Sequence, residues 1–245
     1  MTDHPWIPRR RWVAFFALLA VALAGCVRPA PPAPAPGLRV IDRPIPFSPT
    51  RVAMTRDYIR AHYGLDVPDI VIVPRIVVLH WTAAPTLEAS FHAFAPESVP
   101  GSRTELTGAG EVNVSTHFLV DRDGTIYRLM PETWMARHVI GLNYDAIGVE
   151  NVGGAGGAED LTEAQVAANV ALVRELARRY PSIDYLIGHS EYREFEGHPL
   201  WRERDAGYRT EKIDPGERFL REVRAGVEPW GLKGVPEIRW EKRMR

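Results

Sequence analysis

Hydrophobic and polar positions fall into blocks along this chain, and each block predicts an element. An unbroken apolar run extends from Trp12 to Ala24 behind the basic cluster Arg9, Arg10 and Arg11. "RIVVLHWTA" from Arg75 is β-branched and apolar and closes on polar residues. It predicts a buried strand that delivers His80 at its end. "LEASFHAF" (Leu87 to Phe94) suits a helix. "STHFLVDRDGTIYRLM" predicts a hairpin, with strands in "THFLV" and "TIYRLM" and a turn at Asp123-Gly124. "AIGVENV" (Ala146 to Val152) predicts another buried strand, interrupted by the charge of Glu150. From Leu161 to Tyr180, Val166, Val170, Val173 and Leu176 recur at helical spacing behind Thr162, a plausible N-cap. "DYLIGHS" is a short strand that ends at His189.

Strands alternating with helices and a hairpin predict an α/β fold: a single domain with a mixed central β-sheet flanked by helices. No internal repeat is visible. The expected organisation is a leader over 1–25, a tether over 26–47, a folded domain over 48–225 and a tail over 226–245 whose basic "KRMR" end is solvated.

The amino-terminal pattern is that of a secretory signal: basic cluster, apolar run, then small residues before Cys26. The run is short for a transmembrane helix, which needs about 20 apolar residues. "LAGC" resembles a bacterial lipobox, which would make Cys26 the lipidated first residue of the mature chain. Acyl chains would hold it to a membrane, each buried CH₂ contributing about 0.8 kcal/mol. Val27 follows the cysteine, and by resemblance to lipoprotein sorting the absence of Asp there favours the periplasmic face of the outer membrane. "VRPAPPAPAPG" favours extended polyproline II and cannot form a core.

Composition narrows the function. With 30 Lys and Arg against 31 Asp and Glu, nothing points to nucleic acid as a partner. Cys26 is the one cysteine, so no intramolecular disulfide can form. "GGAGG" (Gly153 to Gly157) lacks the strand–GxxxxGK–helix setting of a phosphate loop.

The chemistry sits where polar residues interrupt apolar strands. Glu150 is costly to bury unless paired or used. His80 and His189 each close a strand, and Asp214 is held by the turn residues Pro215-Gly216. Two histidines and an aspartate make a three-ligand zinc site with an open water position, and a nearby glutamate can serve as general base. The residues alone leave a second reading open, in which the strand-end histidines are satisfied structural groups.

The motifs "VVLHWTA", "VSTHFLVDRDGTIYRL", "NYDAIGVENVG", "LIGHSE" and "KIDPG" occur in the order seen in zinc-dependent N-acetylmuramoyl-L-alanine amidases of the type 2 family. That family is related in fold to the peptidoglycan recognition proteins. The chain resembles it over about Ile76 to Phe219, which would make 48–225 a zinc amidase domain. The resemblance implies Zn²⁺ as cofactor, held by His80, His189 and Asp214. It implies Glu150 as the catalytic glutamate and Lys212 as the cation that stabilises the oxyanion. Some members use a Tyr just before the His of the first hairpin strand, but Thr116 stands there, which leaves Glu150 as the base. His117 matches a recurrent position and is expected in the site wall rather than among the ligands. The implied substrate is the amide joining N-acetylmuramic acid to L-alanine in peptidoglycan or muropeptides, and the protein is expected to act as a monomer.

Asn143 and His138 are expected substrate contacts by the same resemblance, and Trp81 as an aromatic that could stack on sugar, each with a structural alternative. Trp134 could cover the cleft or pack in the core. His62 and His92 are expected to be structural or solvated. Many members join the "GHS" and "KIDPG" motifs by a shorter link, so "EYREFEGHPLWRERDAGYRTE" (191–211) is an insertion. Its Phe195, Trp201 and Tyr208 predict a loop that packs on the domain or walls the cleft, and His198 within it is excluded as a ligand. Two other readings remain at this point. A non-catalytic peptidoglycan-binding protein of this fold typically lacks a zinc ligand. A zinc peptidase acting on the stem peptide is disfavoured by the lack of an HExxH helix.

Overall fold

The computed structural model describes Met1, residues 38–101 and residues 108–245. Cys26 and the leader lie outside the described residues. β2 (Ile76–Trp81) is buried along its whole length, as its continuous apolar run requires of a strand covered on both faces. It pairs in parallel with β5 (Ala146–Asn151) on one side and with β6 (Tyr185–Gly188) on the other. β5 continues in parallel to β3 (Phe118–Val120), which forms the antiparallel hairpin with β4 (Ile126–Arg128). β1 (Val40–Asp42) closes the far edge against β4. The six-stranded sheet has the order β1-β4-β3-β5-β2-β6 and is mixed.

Strand alternation sorts the side chains onto two faces. Val77, Leu79, Trp81, Ile147 and Val149 face a core shared with Leu172, Val173 and Leu176 of α3 (Glu163–Arg179) and Phe219, Leu220 and Val223 of α4 (Glu217–Val227). Ile76, Val78, Ala146 and Ile187 face a second core with Val139, Leu142, Tyr192, Phe195 and Ile238. His80, Gly148 and Glu150 share the parity of that second set. α1 (Pro49–Tyr58) runs into a π-helical turn at Ile59–Tyr63 and packs on Ile70, Ile72, Val112 and Met135, while α2 (Leu87–Phe94) covers Leu119 and Leu129.

Local signals set the helix ends. Thr162 caps α3: its hydroxyl accepts from Gln165 N–H while the Gln165 side chain accepts from Thr162 N–H. Gln165 and Asn169 on that helix are fully buried because they hydrogen-bond strand-end groups, Gln165 to Val120 and Val152 carbonyls and Asn169 to the Asn151 side chain.

Two stretches differ from the expectation. β1 lies inside the 26–47 segment assigned to the tether, a strand too short to show a period. Residues 226–245, assigned to a tail, hold the last turn of α4 and the helix α5 (Val235–Arg243). Lys233 extends the β6 edge, its N–H donating to the Asp184 carbonyl while its own carbonyl accepts from Leu186 N–H. Ile238 of α5 is completely buried. A single apolar anchor in a nine-residue charged helix leaves almost no hydrophobic period to read. Ile238→Ala is expected to lower the free energy of unfolding by about 2–5 kcal/mol, measured by urea denaturation.

Candidate active site

The parallel ladder between β2 and β5 sets His80 directly opposite Glu150. Paired residues of neighbouring strands project to the same face, so both side chains emerge together at the strand ends. His189 begins a 3₁₀ turn immediately after β6, the next strand over. Asp214 arrives from the segment before α4, where Ser190 N–H donates to the Asp214 carbonyl and joins the two ends of the insertion. The Asp214–Pro215 peptide is cis.

His80 Nδ1 lies 2.9 Å from His189 Nδ1, and Asp214 Oδ2 lies 3.0 Å from His189 Nδ1 and 3.3 Å from His80 Nδ1. Donor atoms about 2.0–2.1 Å from a tetrahedral cation would be separated by about 3.3 Å, so this triangle has the size of one face of such a coordination shell. Among the described residues it is the group of histidines and acids that meets the geometry of a metal site. Burial, with His189 alongside, pushes the His80 imidazole down to about 4. Burial alone would raise the Asp214 carboxyl, but the adjacent His189 and His80 hold it well below the usual carboxylate range. A neutral His80 beside an ionised Asp214 is the protonation state that metal ligation demands.

These residues line one cleft of about 550 Å³ together with Lys212, whose side chain is exposed, and with Tyr208 and Thr210 of the insertion. Glu150 is 8% exposed and reaches the same cleft. Cation ligands, a carboxylate beside them and an ammonium on the rim are the parts needed for metal-assisted hydrolysis of a polar carbonyl compound.

The other expected residues take different places. Asn143 is buried and its amide is committed: Oδ1 accepts from His138 N–H (2.8 Å) and Val139 N–H (2.7 Å), and Nδ2 donates to Tyr63 Oη (3.0 Å). It shapes the loop that carries His138 and also lines the cleft. Trp81 falls on the α3 and α4 face by strand alternation, joins that core and also lines the cleft. A Cβ on Gly154, at φ 74°, would lie 2.3 Å from the Trp81 indole, so only glycine lets the loop after β5 pass over it. His138 lies against His80, with its Nδ1 3.0 Å from His80 Nε2. Its imidazole pKa is pushed well below the ordinary value by burial and by the rings of His80 and His117. Trp134 packs on Phe47, ring centroids 5.3 Å apart. His92 is exposed, whereas His62 is buried with Nδ1 3.0 Å from both carboxylate oxygens of Glu203.

The insertion packs on the domain. Phe195 is fully buried, Arg202 forms an ion pair with Asp145, and Glu203 reaches His62. Trp201 lies against Gly141, and Tyr208 Oη accepts from Arg137 at 3.2 Å. His198 is held at Tyr185 and Glu241, outside the triangle. Nothing in the local sequence could have paired Glu203 with His62, which stands 141 residues away.

The profile of the N-acetylmuramoyl-L-alanine amidase family matches residues 71–217, and the chain belongs to this family. Among solved structures the chain is similar to the N-acetylmuramoyl-L-alanine amidase LysC from Clostridium intestinale URNW, with 20% identity, 78% of this chain and 97% of that chain covered, and a TM-score of 0.46. It is also similar to a selenomethionine derivative of AmpD, with 23% identity, 76% and 93% covered, and a TM-score of 0.46. A comparison with curated proteins found no match.

His117 provides a pH-linked test of the scaffold. Its Nδ1 accepts from Gly148 N–H and its Nε2–H donates to the Trp134 carbonyl, so the buried ring is neutral. Burial pushes its pKa down to about 4. An unfolded histidine titrates near 6.5, so protonation favours the unfolded chain as the pH falls through that value, and the penalty levels off near the folded pKa. Between pH 7.5 and 4.5 this residue is expected to account for a loss of about 2–3 kcal/mol. Urea denaturation at both pH values should show a smaller loss for His117→Asn than for the unsubstituted protein.

Proposed function

We propose that this protein is a zinc-dependent N-acetylmuramoyl-L-alanine amidase that cleaves the amide between N-acetylmuramic acid and L-alanine in peptidoglycan or its fragments. The observation that carries the reading is the His80, His189 and Asp214 triangle with Glu150 beside it on the adjacent strand. Family membership supplies the amidase chemistry, and the donor set of two imidazoles and one carboxylate suits zinc.

Zinc, when bound, supplies a Lewis acid and a water of lowered pKa. Glu150 accepts the proton of the attacking water. Charge builds on the lactyl carbonyl oxygen, and the Lys212 ammonium stabilises it from the cleft rim. Glu150 then passes its proton to the alanine nitrogen as the C–N bond breaks. The products are a carboxylic acid on the glycan and the free amine of the stem peptide. The cleft volume suits a fragment of sugar and peptide.

Export and attachment through a lipidated Cys26 to the periplasmic face of the outer membrane belong to the same proposal, supported by the "LAGC" motif and the apolar run before it. A Cys26→Ser variant should move from the membrane to the soluble fraction of fractionated cells.

The decisive experiment is mass spectrometry of products from defined muropeptides, with zinc and with a chelator. Release of stem peptides beginning with free L-alanine, abolished by the chelator, is expected. L-alanine left on muramic acid would identify a peptidase, and a zinc-loaded protein that releases no peptide would identify a binding protein. Glu150→Gln should retain zinc, measured by metal analysis, and lose about 10²- to 10⁴-fold in kcat. Lys212→Met should lose about 10²- to 10³-fold in kcat.

A further inference from the structure

His138 precedes β5 and takes no part in the steps above. Its ring meets His80 edge-on, with centroids 5.1 Å apart and planes at 82°. His80 turns Nδ1 toward His189 and Asp214, and Nε2 toward His138 Nδ1 at 3.0 Å. An imidazole that offers its Nδ1 lone pair to a cation must, when neutral, carry its proton on Nε2. That Nε2–H then needs an acceptor, and His138 Nδ1 is the atom facing it. The His138 proton is thereby placed on Nε2, directed at the Ala146 carbonyl 3.5 Å away.

We propose that His138 is a positioning residue: its Nδ1 accepts from His80 Nε2–H, fixes the His80 tautomer and aims Nδ1 into the metal site. The proposal rests on the zinc reading above. It reassigns His138 from substrate contact to support of a ligand, the task that outer partners of metal-bound histidines perform.

The surroundings are built for this contact. Gly148 lies on β5 between Ala146 and Glu150, on the face that carries His80. A Cβ there would stand 2.8 Å from His138 Nδ1 and Cγ. Glycine inside a strand weakens it and often marks a close approach, here that of the imidazole. The Gly148 N–H donates to His117 Nδ1, so the same residue anchors the ring lying 6.0 Å beyond His138. Asn143 holds the backbone N–H groups of His138 and Val139. Side chain and backbone of His138 are therefore fixed separately, and both fixings aim Nδ1 at His80.

The test measures zinc affinity by competition with a chromophoric chelator, alongside the visible spectrum of the Co²⁺-loaded protein and thermal melting of the metal-free protein. His138→Leu removes the acceptor and is expected to weaken zinc binding about 10- to 100-fold and to shift the Co²⁺ bands. His138→Asn keeps an oxygen near the position of Nδ1 and should restore affinity to within about threefold, a rescue that requires the acceptor itself. Gly148→Ala keeps every polar group but displaces the ring, and should weaken zinc binding in the same direction. Wild-type affinity in His138→Leu would overturn the proposal, as would an Asn variant as weak as the Leu variant. If His138→Leu does not fold, unchanged affinity in Gly148→Ala overturns it. Failure of the unsubstituted protein to bind zinc would sink the functional reading instead.

Discussion

The register between β2 and β5 is the constraint on which the site depends. Six residue pairs in parallel put His80 opposite Glu150 and Val78 opposite Gly148. A slip of one residue would send one of each pair to the opposite face, burying a carboxylate in the core under α3 and α4. The apolar alternation of both strands opposes that slip: the core-facing pair of the slipped strand, Val77 and Leu79 or Ile147 and Val149, would leave its core for the other face. Hydrophobic burial therefore enforces the placement of the polar groups, at positions where burying a charge would otherwise be costly.

Around that register the structure assembles a concentrated set of imidazoles. His189 and Asp214 close a triangle with His80, His138 stands behind His80, and His117 stands beyond His138. Burial disfavours charging His80, His138 and His117, and the ionised Asp214 supplies the negative charge that a divalent cation needs. The result is an electrostatic environment ready for a cation and poorly suited to several imidazolium ions. The insertion at 191–211 then builds one wall of the cleft, held by Arg202 at Asp145 and by Glu203 at His62. The reacting groups sit on strand ends while the insertion brings Tyr208 and Thr210 to the rim.

Much of this was legible in the chain. Among the described residues, the apolar runs read as strands or helices became such elements near their expected bounds, because buried strands and amphipathic helices carry a periodic signal. His80, Glu150 and His189 were legible as polar residues at the ends or in the middle of apolar runs and Asp214 by the Pro-Gly turn after it, and the four meet in one cleft. Asn143 and Trp81 both line the cleft, and each is also tied into the domain by contacts that the sequence did not show. Asn143 was read as a substrate contact or a structural residue, and its partners include Tyr63, 80 residues away. Trp81 followed His80 in a motif, yet adjacent residues of a strand project to opposite faces.

The sequence by itself determined β2 to β6, the helices α2 and α3 and which polar residues had to be used, since periodicity and the cost of burying charge are local properties. The tertiary structure decided what surrounds them: that Gly148 makes room for His138, that His138 meets His80, and that α5 covers β6 through Ile238. Those contacts join residues far apart in the chain, and no pattern along one segment encodes the distance between two.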